Sequence, residues 1–159
     1  MSMEVQPSSR ADELLTPAAD QRQAVQEVID RYFFAIDSCN PDLIRRCFAN
    51  NARYTSDAGL LDMEGRDAIG NRLGKGGRFV HTTHVRASQE IVIDGDIAAA
   101  DTFAIAYLVE PEAVGGTVHV RGLRYTDRLE RGADGWEIVS RHHSTKWQYD
   151  QQGCAVMPV

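Results

Sequence analysis

The sequence predicts an α+β fold. Helical periodicity fills the first half, four long β-rich stretches fill the second, and the links between those stretches are short and turn-like. The 159 residues suit one domain, and 43% hydrophobic with 25% charged residues is the balance of a globular chain. We expect a loose N-terminal arm over 1–18, a folded domain over 19–150 and a tail over 151–159. The arm is polar and carries Pro7 and Pro17, with room for a short helical turn near Asp12–Leu15.

The elements follow in order. Val25, Val28, Ile29, Tyr32 and Ile36 recur at helical spacing between Asp20 and Ser38 and form one apolar stripe. Asn40-Pro41-Asp42 reads as the start of a second helix, with Asn40 as the cap and Pro41 in the first turn. Short strands are expected at Arg53–Ser56 and Leu60–Met63, and a third helix from Gly65 to Leu73. His81–Ile93, Ile97–Glu110, Thr117–Arg131 and Trp136–Tyr149 are rich in β-branched and aromatic residues. Asp94-Gly95-Asp96 is a tight-turn signal, and short connections make these strands antiparallel neighbours. Such a sheet curls, and helices on its concave face leave a cone-shaped cavity.

Charge and composition exclude several functions. A net charge of −6 without a basic run disfavours nucleic-acid binding. No apolar run reaches the ~18 residues of a membrane span. Three cysteines without CxxC spacing argue against a disulfide framework or a thiolate zinc site, and point to a reducing cytoplasm. There is no GxGxxG, P-loop or GxSxG elbow.

The candidates for chemistry are few. Asp37 lies about 120° round the first helix from Val25, at 3.6 residues per turn. It is at the edge of the apolar stripe, in the last turn, where the macrodipole disfavours an anion. It is either a helix-ending Asp that accepts solvent or loop amides, or a carboxylate in need of a partner. Tyr32 lies inside the stripe, as a core tyrosine or as a buried donor. His81 and His84 are three apart on a strand and point to opposite faces, so they cannot chelate one ion, and the same holds for His142-His143. No metal site is expected. A single inward His suits a general base. His119, Arg121, Leu123 and Tyr125 share one face of the third long strand, and Arg141 and His143 share one face of the fourth. An inward Arg either binds an anionic oxygen or pairs with an acidic neighbour.

Four local features, taken with the order of elements, resemble the SnoaL-like branch of the NTF2-like superfamily over Gln21–Tyr149. They are Tyr32-Phe33-Phe34-Ala35-Ile36-Asp37, Thr83-His84, Gly122-Leu123-Arg124-Tyr125-Thr126-Asp127-Arg128 and Asp134-Gly135-Trp136-Glu137-Ile138. The resemblance implies a cone of helices on a strongly curved, mostly antiparallel sheet. Within the branch the chain is similar to the scytalone dehydratase, bile-acid 7α-dehydratase and hexachlorocyclohexane dehydrochlorinase types. These lyases pair an Asp on the first helix with a His on the first long strand, which places Asp37 and His84 in that role. Tyr32 matches a Tyr of the bile-acid enzymes, Arg141 an Arg of the dehydrochlorinase and His119 a second His of scytalone dehydratase. Near Tyr107 the acidic residue of the bile-acid enzymes is replaced. Tyr54 and Tyr107 complete the expected lining.

The implied function is a cofactor-free, dehydratase-type elimination on a small hydrophobic cyclic substrate, in a homo-oligomer that is a trimer or a dimer. His84 is the base, Asp37 its orienter and Tyr32 a donor, with Arg141, His119, Tyr54 and Tyr107 against the substrate. The rivals are an isomerase or polyketide cyclase on the same fold, and a non-catalytic ligand-binding module akin to a dioxygenase small subunit.

Overall fold

The computed structural model describes residues 9–111 and 116–155, with the side chains of all of these except residues 9–18 and Ala58. The first eight residues of the expected arm and the last four of the expected tail lie outside the described residues. Helix α1 spans Ser9–Asp37, so it begins well before the apolar stripe that announced it. Helix α2 (Pro41–Arg45) follows, capped as expected by the Asn40 side chain accepting from the Leu43 N–H at 3.0 Å. Strand β1 (Phe48–Ser56), β2 (Asp62–Glu64) and α3 (Arg66–Leu73) complete the helical half. Four long strands follow: β3 (His81–Asp94), β4 (Ile97–Val109), β5 (Val118–Gly132) and β6 (Gly135–Gln151).

These six strands form one mixed, curved, unclosed sheet in the order β2-β1-β6-β5-β4-β3. The four long strands are sequential antiparallel neighbours, as their short links predict. The parallel pair is β1 with β6, which ties the helical half to the last strand. β1 is longer than its β-rich core suggested. Its first residues, Phe48 and Ala49, are small or apolar positions buried under the helices.

Helix α1 lies against β3 and β6 and covers one face of the sheet. Its buried face is wider than the sequence stripe, because Phe33 and Ala35 are buried beside Val25, Val28, Ile29 and Tyr32. The helix ends abruptly. Cys39 takes φ +49°, a region that side chains other than glycine seldom occupy. The N–H groups of Cys39 and Asn40 then turn back to the carbonyls of Ile36 and Ala35. This stop leaves Asp37 as the last helical residue, facing β3.

Register sorts the side chains by face. One row across the sheet is His84, Ala106, Arg121 and Gln148, and another is Gln89, Thr102, Tyr125 and His143. Asp127, Arg141 and Tyr54 form a third, across β5, β6 and β1. Between these rows lie the opposite-facing residues. Val85, Phe103, Tyr107, Trp147 and Tyr149 stand on that outer face, 39–55% exposed. The Trp147 ring lies so close over Gly122 that a Cβ there would fall 2.1 Å from Cε2. Among the described residues, no helix is long and apolar enough to cross a membrane.

Candidate active site

Asp37 finds its partner on β3. The Thr82 hydroxyl donates to Oδ1 at 2.8 Å, the His84 backbone N–H to Oδ2 at 2.7 Å and the His84 ring through Nδ1 to Oδ1 at 2.7 Å. Burial opposes the charge on Asp37. The bonds from the His84 ring and backbone, the His84 charge and the Thr82 hydroxyl together outweigh it, and the carboxyl is held below its ordinary value. Three donors thus offset both desolvation and an unfavourable place at a helix C-terminus.

A carboxylate only accepts, so Nδ1 of His84 carries a hydrogen, and in the neutral form of the ring Nε2 carries the lone pair. Nε2 has no hydrogen-bond partner among the described residues, and the His84 side chain keeps 8% of its surface exposed. The Phe33 ring stacks on the imidazole, 5.9 Å between centroids and 4° from parallel. The ring is therefore fixed by hydrogen bonds at its Nδ1 edge and by stacking on one face. Such a group can accept a proton at Nε2 while Asp37 stabilises the cation that forms.

Beneath the dyad lies a buried polar cluster. Arg141 donates through Nε and Nη2 to the two oxygens of Asp127, 2.7 Å each, with both side chains fully buried. Its guanidinium sits 4.0 Å from the Tyr32 ring centroid and 4.8 Å from that of Tyr125, a cation between two aromatic faces. Burial works against the Arg141 charge, but Asp127 more than restores it, so the group stays cationic. The hydroxyls of Tyr32 and Tyr54 meet at 3.3 Å. Burial raises the pKa of both phenols, which remain protonated donors near neutrality.

The expected lining residues separate into two groups. Tyr32, Tyr54 and Arg141 share this cluster. His119 shares the face of His84, but its Nδ1 is hydrogen-bonded to Asp150 at 2.9 Å, and its Nε2 lies 3.1 Å from Glu110 without a hydrogen bond. Tyr107 is a correction. It pairs with Thr83 and Val120, one residue out of the His84 row, so its side chain stands on the outer face and is 39% exposed. The pockets outlined at Ser88–Phe103, Phe103–Trp147, Arg53–His142 and Glu90–Asp127 include neither Asp37 nor His84. Among the described residues, no group of three or more His, Cys, Asp or Glu side chains is placed to hold a metal ion.

Two members of the cluster were not singled out from sequence. Asp127 is a buried sheet carboxylate set opposite Arg141. His143 has both ring nitrogens buried without a hydrogen-bond partner, and its ring stacks on Tyr125 at 5.0 Å and 19°. The period-two spacings from Tyr125 to Asp127 and from Arg141 to His143 were visible. Which residue faces which across β5 and β6 required the register.

His143 carries a prediction for stability. Burial first, then the positive charge of Arg141, lowers its pKa to about 4. Below the ordinary His value of 6.5 the unfolded chain takes up a proton that the folded chain refuses. Stability therefore falls as pH drops through this window, by on the order of 3 kcal/mol at ~1.4 kcal/mol per pH unit. The Asp37 contribution has a lower window. It is complete above the ordinary Asp value of 3.8 and is lost as pH falls through the depressed folded value. Urea unfolding at about pH 7 and about pH 4.5 checks this. The His143→Leu variant should lose less stability than the parent between the two, and equal losses would refute it.

A family model for the SnoaL-like domain matches residues 17–142. The chain belongs to this family. Solved structures agree in fold. A Kribbella flavida protein is 24% identical with a TM-score of 0.76, covering 83% of this chain and 95% of its own. A putative scytalone dehydratase from Novosphingobium aromaticivorans is 19% identical with a TM-score of 0.73, over 89% and 95%. The LinA-type3 hexachlorocyclohexane dehydrochlorinase of Novosphingobium barchaimii is 14% identical with a TM-score of 0.76, over 89% and 97%. No curated protein sequence matches the chain. The SnoaL-like chain thus has the NTF2-like α+β architecture, with helices on a curved mixed sheet, and dehydratase- and dehydrochlorinase-type proteins are among its fold neighbours.

Proposed function

We propose that this SnoaL-like protein is a lyase that eliminates water, or another small leaving group, from a small hydrophobic cyclic substrate. The observation that carries the reading is the 2.7 Å bond between Asp37 and His84 Nδ1, which leaves Nε2 unengaged among the described residues. In this reading Nε2 takes a proton from a ring carbon. The electron pair of that C–H bond becomes the new double bond as the adjacent C–O bond breaks. The Tyr32 phenol donates a hydrogen bond to the departing oxygen, which leaves with the proton from Nε2 as water. Asp37 holds the tautomer and the imidazolium. The sequence calls for no cofactor in this step, because base, orienter and donor are all side chains of the chain.

Fold neighbours that are a putative scytalone dehydratase and a hexachlorocyclohexane dehydrochlorinase support an elimination over other reactions on this fold. Isomerases that use a sheet carboxylate as base are less well supported, since the inward Asp127 is tied twice to Arg141. Self-association as a trimer or dimer belongs to the same reading. The exposed Phe103, Tyr107, Trp147 and Tyr149 of the outer face supply the apolar surface. Localisation in a reducing cytoplasm is likewise part of it, from three free cysteines.

The test is product mass. The chain is incubated with a panel of cyclic alcohols and the products are read by mass spectrometry. A product lighter by one water is the expected result. A product of unchanged mass would mean double-bond migration or cyclisation and would overturn the elimination.

A further inference from the structure

His142 and His143 are neighbours on β6 and so face opposite sides of the sheet. His143 belongs to the buried cluster. His142 stands on the outer face, in the row Asp101, Thr126, His142 and Thr55. The parallel pairing of β1 with β6 sets Thr55 beside it, and the short 3-10 turn Asp57–Gly59 that follows β1 brings Asp57 to its other edge. The Thr55 hydroxyl lies 2.9 Å from His142 Nδ1, and His142 Nε2 lies 3.1 Å from Asp57 Oδ1.

A carboxylate only accepts, so Nε2 of His142 carries a hydrogen. In the neutral form of the ring Nδ1 then holds the lone pair, and the Thr55 hydroxyl donates to it. The other acceptor within reach of that hydroxyl, the Arg141 carbonyl, is farther away at 3.5 Å. The order is hydroxyl, base and orienting carboxylate, the arrangement that activates an alcohol as a nucleophile. Stability does not account for it. The His142 and Asp57 side chains are 48% and 54% exposed, and an ion pair so open to water contributes about 0–1 kcal/mol.

The hydroxyl also opens onto room for a reactant. Thr55 and His142 line a groove of about 250 Å³ together with Arg53, Thr126 and Ser140. Arg53 lies two residues before Thr55, on the same face, and pairs with Ser140. Asp62 takes Nε and Nη2 of Arg53, at 3.1 and 3.0 Å, which leaves Nη1 for another oxygen. A guanidinium N–H and two hydroxyls in the groove of the nucleophile are donors for a developing oxyanion. The sheet itself separates this groove from Asp37 and His84, so nothing here depends on the elimination.

We propose that Thr55, His142 and Asp57 form a second site, on the outer face, that hydrolyses esters of small carboxylic acids. Thr55 Oγ1 attacks the ester carbonyl carbon as His142 Nδ1 takes the hydroxyl proton. The carbonyl electron pair moves onto its oxygen, then returns as the bond to the alkoxy group breaks. That group leaves with the proton from Nδ1, and the acyl group stays on Thr55. Water then attacks the acyl carbon, giving its proton to Nδ1. The acid departs as Thr55 Oγ1 takes the proton back. Asp57 holds the tautomer and stabilises the imidazolium in both halves. The size of the groove limits the acyl group to a small one.

The experiment uses the full chain and p-nitrophenyl acetate. Nitrophenolate release is followed by absorbance, and the acid-quenched chain is digested and mapped by mass spectrometry. Release above the buffer blank is expected, with an acetyl group trapped on Thr55. Thr55→Val keeps a β-branched side chain on the strand but removes the nucleophile, and should abolish the release. Thr55→Ser keeps the hydroxyl and should retain it. His142→Ala should slow it by about 10²–10⁴, the usual worth of a positioned base. No release beyond the blank, release that survives in Thr55→Val, or acetyl found on another residue instead of Thr55 would each overturn the proposal. The acetyl position is read on the parent protein, so it decides the matter even if a variant folds poorly.

Discussion

Replacing His84 with alanine is expected to lower turnover on any substrate the protein accepts by about 10²–10⁴, the usual worth of a positioned general base. The reasoning is local. Nδ1 is occupied by Asp37, so Nε2 is the one basic lone pair the ring can present, and alanine removes it. Asp37→Asn should cost less than His84→Ala. It keeps one oxygen acceptor for Thr82 or the ring but gives up the charge that stabilises the imidazolium. The measurement is kcat for both variants beside the parent. Helical and sheet content by circular dichroism controls for folding. Full turnover in His84→Ala would remove the base from the mechanism.

Removing one partner of the Asp127–Arg141 pair should be the largest blow to stability. Asp127→Ala leaves a guanidinium fully buried between the rings of Tyr32 and Tyr125 with its two bonds unmade. Stripping one partner from such a pair costs about 3–5 kcal/mol. That is a large part of the 5–15 kcal/mol that holds a typical domain together. Replacing both partners, Asp127→Leu with Arg141→Met, should recover most of the loss, because no charge then remains without a partner. Urea unfolding of the two single variants and the double gives the cycle. A loss below about 1 kcal/mol in Asp127→Ala would mean that water reaches the pair and that the cluster is less dry than its burial indicates.

The sequence made some of this legible and concealed the rest for identifiable reasons. The Val25–Ile36 stripe located the core face of α1, since burial on a helix follows its 3.6-residue period. The four long strands and their order were equally clear, because short links leave antiparallel neighbours little choice. The start of α1 at Ser9 was hidden. Its first turns carry Pro17 and polar residues, and no apolar period marks them. Asp37 drew attention because a carboxylate at that helix end needs a partner, and His84 was matched to it by the resemblance to the SnoaL-like lyases. Tyr107 failed by a single residue. In a strand that shift exchanges inside for outside, so proximity in sequence to a pocket residue is poor evidence of sharing its face. Asp127 and His143 were hidden for a third reason. Their meaning lies in what stands opposite on another strand, 14 residues away in the case of Asp127 and Arg141.

The parallel seam between β1 and β6 also sets an order of events during synthesis. Strands β3 to β6 form a meander of consecutive hairpins, which need only short loops to close and can assemble as they leave the ribosome. β1 has no such freedom. Its partner is the last strand of the sheet in chain order, with Phe48 set against Ile138. Until β6 has emerged, β1 and the β2 strand that hangs from it have no sheet edge to join. Helices α2 and α3 pack on that same edge and wait with them. The nascent chain must therefore hold its apolar helical half in reserve through most of translation. Long-range closure of this seam, rather than helix formation, is then the step that completes the fold.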